Sequence, residues 1–250
     1  MRGIKLLIAY DGTDFCGWQK QQDKRDRTVQ AVIEDALGEM HGHEVTLTGS
    51  GRTDSGVHAA GQVANFITSI KTIKPGRFVP ALNGFLSSDI RILKSCEVSP
   101  DFHARFDARM RTYRYYFIYG RHVMPHESRY ALQLWSNPPV NLLNDYCRLL
   151  PGERDCSVFA AAGDSSLSKY RHISNAVFYL EGNRLVFEIS ANAFLRKMIR
   201  SIAGTFIHHA EIGSPAGLMK EIIASCDRSL AGPTLPPQGL FLWNVNYSRQ

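Results

Sequence analysis

Between Lys5 and Val98 the hydrophobic period of the chain alternates between two residues and about 3.6, and this order restricts the fold more than any single residue does. Lys5 to Tyr10 reads as a strand, followed by a polar loop from Asp11 to Gln22. Thr28 is placed to cap a helix whose apolar positions are Val29, Val32, Ile33, Ala36, Leu37 and Met40. Strands are predicted over 45–50 and 62–67, a short helix over 77–82 and a strand over 90–98.

That is a β-α-β-β-α-β order, the ferredoxin-like unit. The same order can be read again after residue 105. It comprises a strand over 111–117 with Tyr113, Tyr115 and Phe117 on one face, a helix over 140–149, and strands over 173–180 and 185–189 around a turn at 181–184. A long helix from about Ala193 to His209 carries the stripe Phe194, Met198, Ile202 and Phe206. A further helix over 215–224 and a last strand over 241–247 complete it. The expected class is therefore α+β, in two halves spanning 1–104 and 105–250, and 250 residues with 44% hydrophobic content suffice to bury such cores.

A formal charge of +6 fits a polyanionic partner, because positive surface steers phosphate backbones and releases their counterions. Arg105, Arg109, Arg111 and Arg114 crowd one stretch, and guanidinium groups both fork onto phosphate and stack on bases. Five cysteines without a CxxC pair argue against a disulfide framework and for a reducing compartment. The N-terminal apolar run turns polar at Asp11, too soon for a signal peptide, and no run approaches membrane-spanning length, so a cytoplasmic protein is expected.

The sharpest local feature is Gly49-Ser50-Gly51-Arg52-Thr53-Asp54-Ser55-Gly56-Val57-His58. Glycines around Arg52, Asp54 and His58, just after a strand, suit a loop that turns sharply and admits another molecule. Asp54 there is either a nucleophile or proton acceptor, or the side chain of a structural Asx-turn. Gly51 to Gly56 has the opening spacing of a phosphate loop, but Val57 and His58 stand where lysine and Ser or Thr are required. No His-Glu-x-x-His is present and no metal site is expected.

Tyr113 reads two ways, as half-buried strand material or as a ring that stacks on a base with a hydroxyl that moves a proton. Arg196 and Arg200, four residues apart on the predicted helix, can share a face. That face is either solvated, or Arg200 points inward and keeps Asp54 ionised. Lys20, Lys24, Arg25 and Arg27 mix with Asp23 and Asp26 in a net-basic loop suited to phosphate or simply to solvent. Trp18 reads as a core anchor or a stacking platform.

Six separated segments resemble the bacterial TruA-type tRNA pseudouridine synthases. They are Tyr10-Asp11-Gly12-Thr13 with Gly17-Trp18-Gln19; Gly51 to His58; Asp101-Phe102-His103-Ala104-Arg105-Phe106; Tyr113-Arg114-Tyr115; Ala191 to Arg196 with Met198-Ile199-Arg200; and Gly232-Pro233-Thr234 with Pro236 to Leu240. The resemblance implies two ferredoxin-like halves with antiparallel sheets joined across a central catalytic cleft. It implies Asp54 as the attacking carboxylate, Tyr113 stacked on the target base and Arg200 paired with the aspartate. Arg52 is implied to hold a flipped-out nucleotide, with Trp18, Lys20, Arg25, Arg27, His58, Arg105, Arg114 and Arg196 as RNA contacts. The substrate implied is tRNA at uridines 38, 39 and 40, bound by a homodimer without cofactor or metal. Residues 160–171 match the family only loosely.

Overall fold

The computed structural model describes residues 1–23 and 25–247, so Lys24 lies outside the described residues. The chain divides into two compact units, Met1–Arg109 with Phe241–Gln250, and Met110–Leu240.

In the first unit, strand β1 (Arg2–Tyr10) leads to helix α1 (Val29–His41), strands β2 (Thr48–Gly49) and β3 (His58–Thr68), helix α2 (Phe78–Asn83) and strand β4 (Ile90–Val98). β1 pairs antiparallel with both β3 and β4, and β2 pairs antiparallel with β3. Along β1, Ile4, Leu6 and Ile8 are fully buried, which two-residue alternation demands of a strand with one face under helices. Val29, Ile33 and Leu37 of α1 and Phe78 and Leu82 of α2 are equally buried. Each such side chain contributes about 1.5–3 kcal/mol of burial. Thr28 caps α1 by accepting from Ala31 N–H at 3.4 Å, and Gly42 ends it in the left-handed conformation.

In the second unit, strands β5 (Met110–Ile118) and β6 (Leu132–Gln133) precede helix α3 (Val140–Cys147) and strands β7 (Gly152–Asp155), β8 (Tyr170–Glu181) and β9 (Arg184–Ala191). Helices α4 (Met198–Glu211) and α5 (Ala216–Ser225) follow. β9 pairs antiparallel with β5 and β8, and β8 with β7. An aromatic core fills this unit: Phe178 stacks on Phe187 with centroids 4.5 Å apart, and Tyr146 meets Phe206 edge-on at 5.5 Å. Strand β10 (Leu240–Asn246) then carries the chain back to the first unit.

The fold is α+β, with three corrections to the sequence reading. The sheets are mixed, because β10 pairs with β3 in parallel, Phe241 opposite His58, and β6 pairs with β5 in parallel. Neither strand is joined to its partner by a hairpin, so connectivity imposes no antiparallel sense. The strand expected over 45–50 shrinks to Thr48–Gly49 because α1 takes its hydrogen bonds: Glu34 accepts from Leu47 N–H at 3.0 Å and Gln30 donates to Leu47 C=O at 3.0 Å.

The third correction is the largest. The long helix begins at Met198, not near Ala193, because Lys197 adopts a left-handed φ of 59° and the preceding residues are held by side chains. Arg196 and Arg200 therefore share no helical face. Among the described residues, no helix is long and apolar enough to cross a membrane.

Candidate active site

Asp54 lies in the loop between β2 and β3, half-buried, and residues 53–56 of that loop are tied to the 10–18 segment. Thr53 is buried and its hydroxyl meets that of Tyr10 at 2.8 Å. Trp18 N–H donates to Thr53 C=O at 3.1 Å, and Phe15 C=O accepts from Gly56 N–H and the Ser55 hydroxyl. Burial drives the Tyr10 phenol above its ordinary range despite bonds from Thr53 and Gln62, so it remains a neutral partner for Thr53. The turn at Asp54 is closed through its main chain, Val57 N–H donating to Asp54 C=O at 3.1 Å. Gly12 makes the arrangement sterically possible, since a Cβ there would stand 2.0 Å from Val57 O.

His58 and Trp18, both expected to touch RNA, are buried side chains of this loop's surroundings. His58 is 0% exposed, its Nδ1 lies 3.1 Å from Gly12 N, and its ring stacks on Phe241 at 4.6 Å. The same nitrogen lies 3.1 Å from Asp11 Oδ1, but that oxygen already accepts from Thr13 N–H and its hydroxyl. Nδ1 accepts from Gly12 N–H. Trp18 is 2% exposed and lies over Gly49, where an added Cβ would be 2.5 Å from its ring.

The other basic residues of this unit are exposed or partly so. Arg52 donates to Gln19 at 2.8 Å; Lys20 pairs with Glu34 at 3.1 Å, Arg25 with Asp23 at 2.7 Å and Arg27 with Asp89 at 2.7 Å. Exposed and partly exposed pairs of this kind contribute little to stability. Arg105 is exposed on the turn that follows β4, its guanidinium carbon 5.7 Å from the Phe106 ring.

In the second unit Tyr113 is buried on β5, 7% exposed, with its ring edge-on to Phe194 at 5.2 Å. Phe194 holds that position from the non-helical approach to α4, which the expected helical stripe had placed elsewhere. Arg114 lies on the opposite parity of β5 and pairs with Glu188 directly across on β9 at 2.7 Å. Arg200, in the first turn of α4, donates from Nε to Leu235 C=O at 2.7 Å, while Leu235 N–H donates to Arg200 C=O at 3.2 Å. The Gly232-Pro233-Thr234 segment thus lies along α4 in close contact: a Cβ on Gly204 would meet Pro233 O at 1.9 Å.

Asp164, which sequence reasoning did not single out, controls the entrance to α4. Its carboxylate accepts from Arg196 N–H at 2.8 Å, from Ser166 N–H at 3.0 Å and from the Lys169 ammonium at 2.5 Å. Burial by itself would raise its pKa, but the Lys169 ammonium and the two N–H groups outweigh it and hold the carboxyl well below the usual range. The loosely matching 160–171 segment is therefore a clamp on the Arg196–Lys197 turn. No local pattern announces it, because donor and acceptor are 32 residues apart.

Comparison with known proteins joins these observations. A family model for tRNA pseudouridine synthase matches residues 6–107 and 146–248. The chain is 51% identical over 249 residues to tRNA pseudouridine synthase A of Treponema denticola, covering 98% of this chain and 93% of that one. It is 43% identical over 259 residues to the protein of the same name from Caldicellulosiruptor saccharolyticus, covering 99% and 100%. It is 38% identical over 242 residues to that of Brachyspira hyodysenteriae, covering 96% of each. The Asp54 loop and the Arg200 segment both fall within the matched regions. The chain belongs to the bacterial TruA-type family of tRNA pseudouridine synthases.

Proposed function

We propose that this isomerase converts uridines 38, 39 and 40 of tRNA to pseudouridine, with Asp54 as the attacking carboxylate. The observation that carries the reading is the Asp54 loop itself. The loop is held through the main chain at Thr53, Gly56 and Val57 and through the hydroxyls of Thr53 and Ser55, so a carboxylate at its centre is positioned in advance of substrate, as nucleophilic catalysis requires.

The N1–C1′ bond breaks with Asp54 at the reacting centre, by attack at C1′ or by a glycal route; the retained uracil turns, and C5 bonds to C1′. The C5 proton departs and N1 ends with one, so the RNA keeps its atoms. No electron leaves the substrate, and the balance requires no redox carrier. Tyr113 stacks on the target base and assists removal of the C5 proton. Arg200 is the residue we assign as the counter-charge for Asp54. Arg52 holds the extruded nucleotide, whose unstacking is offset by stacking and phosphate contacts.

Lys20, Arg25, Arg27, Arg105, Arg114 and Arg196 serve as phosphate contacts in this reading. The two functional halves, 1–104 and 105–250, are each a variant of the ferredoxin-like unit, and the working form is a cytoplasmic homodimer. In the first unit the strand order β4-β1-β3-β2 with two helices supports the ferredoxin-like assignment.

The test uses the purified enzyme with unmodified tRNA and site-resolved detection of pseudouridine. Asp54→Asn is expected to bind tRNA normally and to lose turnover by on the order of 10⁴-fold or more. Unchanged product with Asp54→Asn overturns the assignment of the nucleophile. Release of free uracil by the wild type would replace isomerisation with hydrolysis.

A further inference from the structure

The turn at 101–107 carries a feature the proposed chemistry does not use. Phe106 is 75% exposed, yet the backbone beneath it is held by several hydrogen bonds. His103 Nδ1 accepts from both Arg105 N–H, at 3.2 Å, and Phe106 N–H, at 3.3 Å. Asp107 accepts from His103 N–H at 2.9 Å and returns its own N–H to His103 C=O at 3.0 Å.

Ala104, fully buried, anchors the turn to the sheet. Its N–H donates to Asn65 at 2.8 Å, Asn65 donates in turn to Phe102 C=O at 3.0 Å, and Tyr247 donates to Ala104 C=O at 2.7 Å. The Phe106 ring rests on the His103 imidazole with centroids 4.2 Å apart and 32° between planes, and the Arg105 guanidinium carbon stands 5.7 Å from its centre. A rigid turn thus presents an aromatic ring, supported on one side by an imidazole and flanked by a cation.

We propose that this turn is a base-stacking site for the RNA substrate. An unpaired base lies on Phe106, and Arg105 takes the adjoining phosphate. The inference rests on the tRNA reading above and extends it to residues outside the chemistry. Its occupant follows from the site's composition: a π-face accepts any base, while a guanidinium beside it matches phosphate, a pairing typical of sequence-tolerant single-strand binding. A Phe held open by this many main-chain bonds is also pre-ordered, so little rotamer freedom is lost on binding. Both this turn and the Asp54 loop depend on β3, the loop entering it at His58 and the turn docking on Asn65. Seven residues of extended strand, roughly 24 Å, separate those two positions. The contact therefore contributes to binding and leaves the chemical step alone.

The experiment compares full-length wild type, Phe106→Ala, Phe106→Trp and Asp54→Asn with an unmodified tRNA transcript. It measures Kd against salt concentration, the single-turnover rate at saturating enzyme, and sedimentation. Loss of one stacked base predicts about 5- to 150-fold weaker binding by Phe106→Ala. The salt slope, saturating rate, melting temperature and sedimentation should be unchanged, and Phe106→Trp should bind within threefold of wild type. Binding by Phe106→Ala within twofold of wild type overturns the proposal, as does a Trp variant as weak as the Ala variant. A Phe106→Ala protein that sediments as a smaller species overturns it too, by making the ring a contact between copies of the chain. These results are separable from the catalytic reading: tight binding by Phe106→Ala with a dead Asp54→Asn removes only the stacking site, whereas an active Asp54→Asn removes only the nucleophile.

Discussion

The Asp54 loop is clamped by main-chain groups and by the absence of side chains, whereas the approach to Arg200 is clamped by one buried carboxylate. In the loop, Gly12 lets two backbones approach, and Phe15 and Trp18 exchange main-chain bonds with residues 53–56. At the α4 entrance, Asp164 collects Arg196 N–H, Ser166 N–H and Lys169, and the helix starts from a left-handed Lys197. The first device is steric and independent of pH. The second is electrostatic and titrates.

The largest effect should come from breaking the steric device. Gly12→Ala puts a Cβ at 2.0 Å from Val57 O, so the loop must shift. We expect a loss of about 3 kcal/mol in stability and a fall in turnover on the order of 100-fold, read by thermal melts and single-turnover pseudouridine formation. A variant that melts like wild type and turns over normally would show that the loop is not held by this contact.

Breaking the electrostatic device should cost less. Asp164→Asn retains much of the shape but loses the ion pair, at about 2 kcal/mol. The sign of its pH dependence follows from the depressed carboxyl. The stabilisation is fully present above the unfolded pKa of about 3.9 and is lost as pH falls towards the lower folded value. Acid melts of wild type and Asp164→Asn should therefore differ by a constant amount from pH 5 to 8 and converge below about pH 4. A gap that persists at low pH would assign the effect to packing.

Thr53→Val makes the finest distinction. It keeps the loop's volume and backbone bonds but removes the hydroxyl partner of Tyr10, and should cost about 1 kcal/mol with little change in turnover. A large loss of turnover would mean that the loop depends on this side-chain bond as much as on its main chain.

The difference between the two clamps also explains what could be read in advance. Gly51 to His58 was legible because glycines and an isolated carboxylate after a strand leave a local signature. The strands through Ile4, Leu6 and Ile8 and through Tyr115 and Phe117, with the helix capped by Thr28, were legible because period and cap chemistry are local too. The start of α4 was not. Residues 193–197 carry helical apolar spacing, but Asp164 accepts from Arg196 N–H and Asn192 from Ala193 N–H at 2.8 Å, which holds those groups away from a helix. The burial of Trp18 and His58 was not legible either, since an aromatic beside such a loop has the same sequence pattern whether it faces solvent or the core.

For this protein the sequence by itself determined the α+β class, the main helices and strands, the carboxylate loop and the family, all of which are encoded in short-range periodicity and in motifs readable in order, but not the short strands β6 and β7. Only the tertiary structure decided that β10 returns to lie parallel to β3, that Arg196 and Arg200 part company at Lys197, and that Asp164 holds that turn. It likewise decided that Phe106 is presented on a fixed turn. Each of these depends on a hydrogen bond or contact between residues distant along the chain, where no local spacing constrains which partner is met.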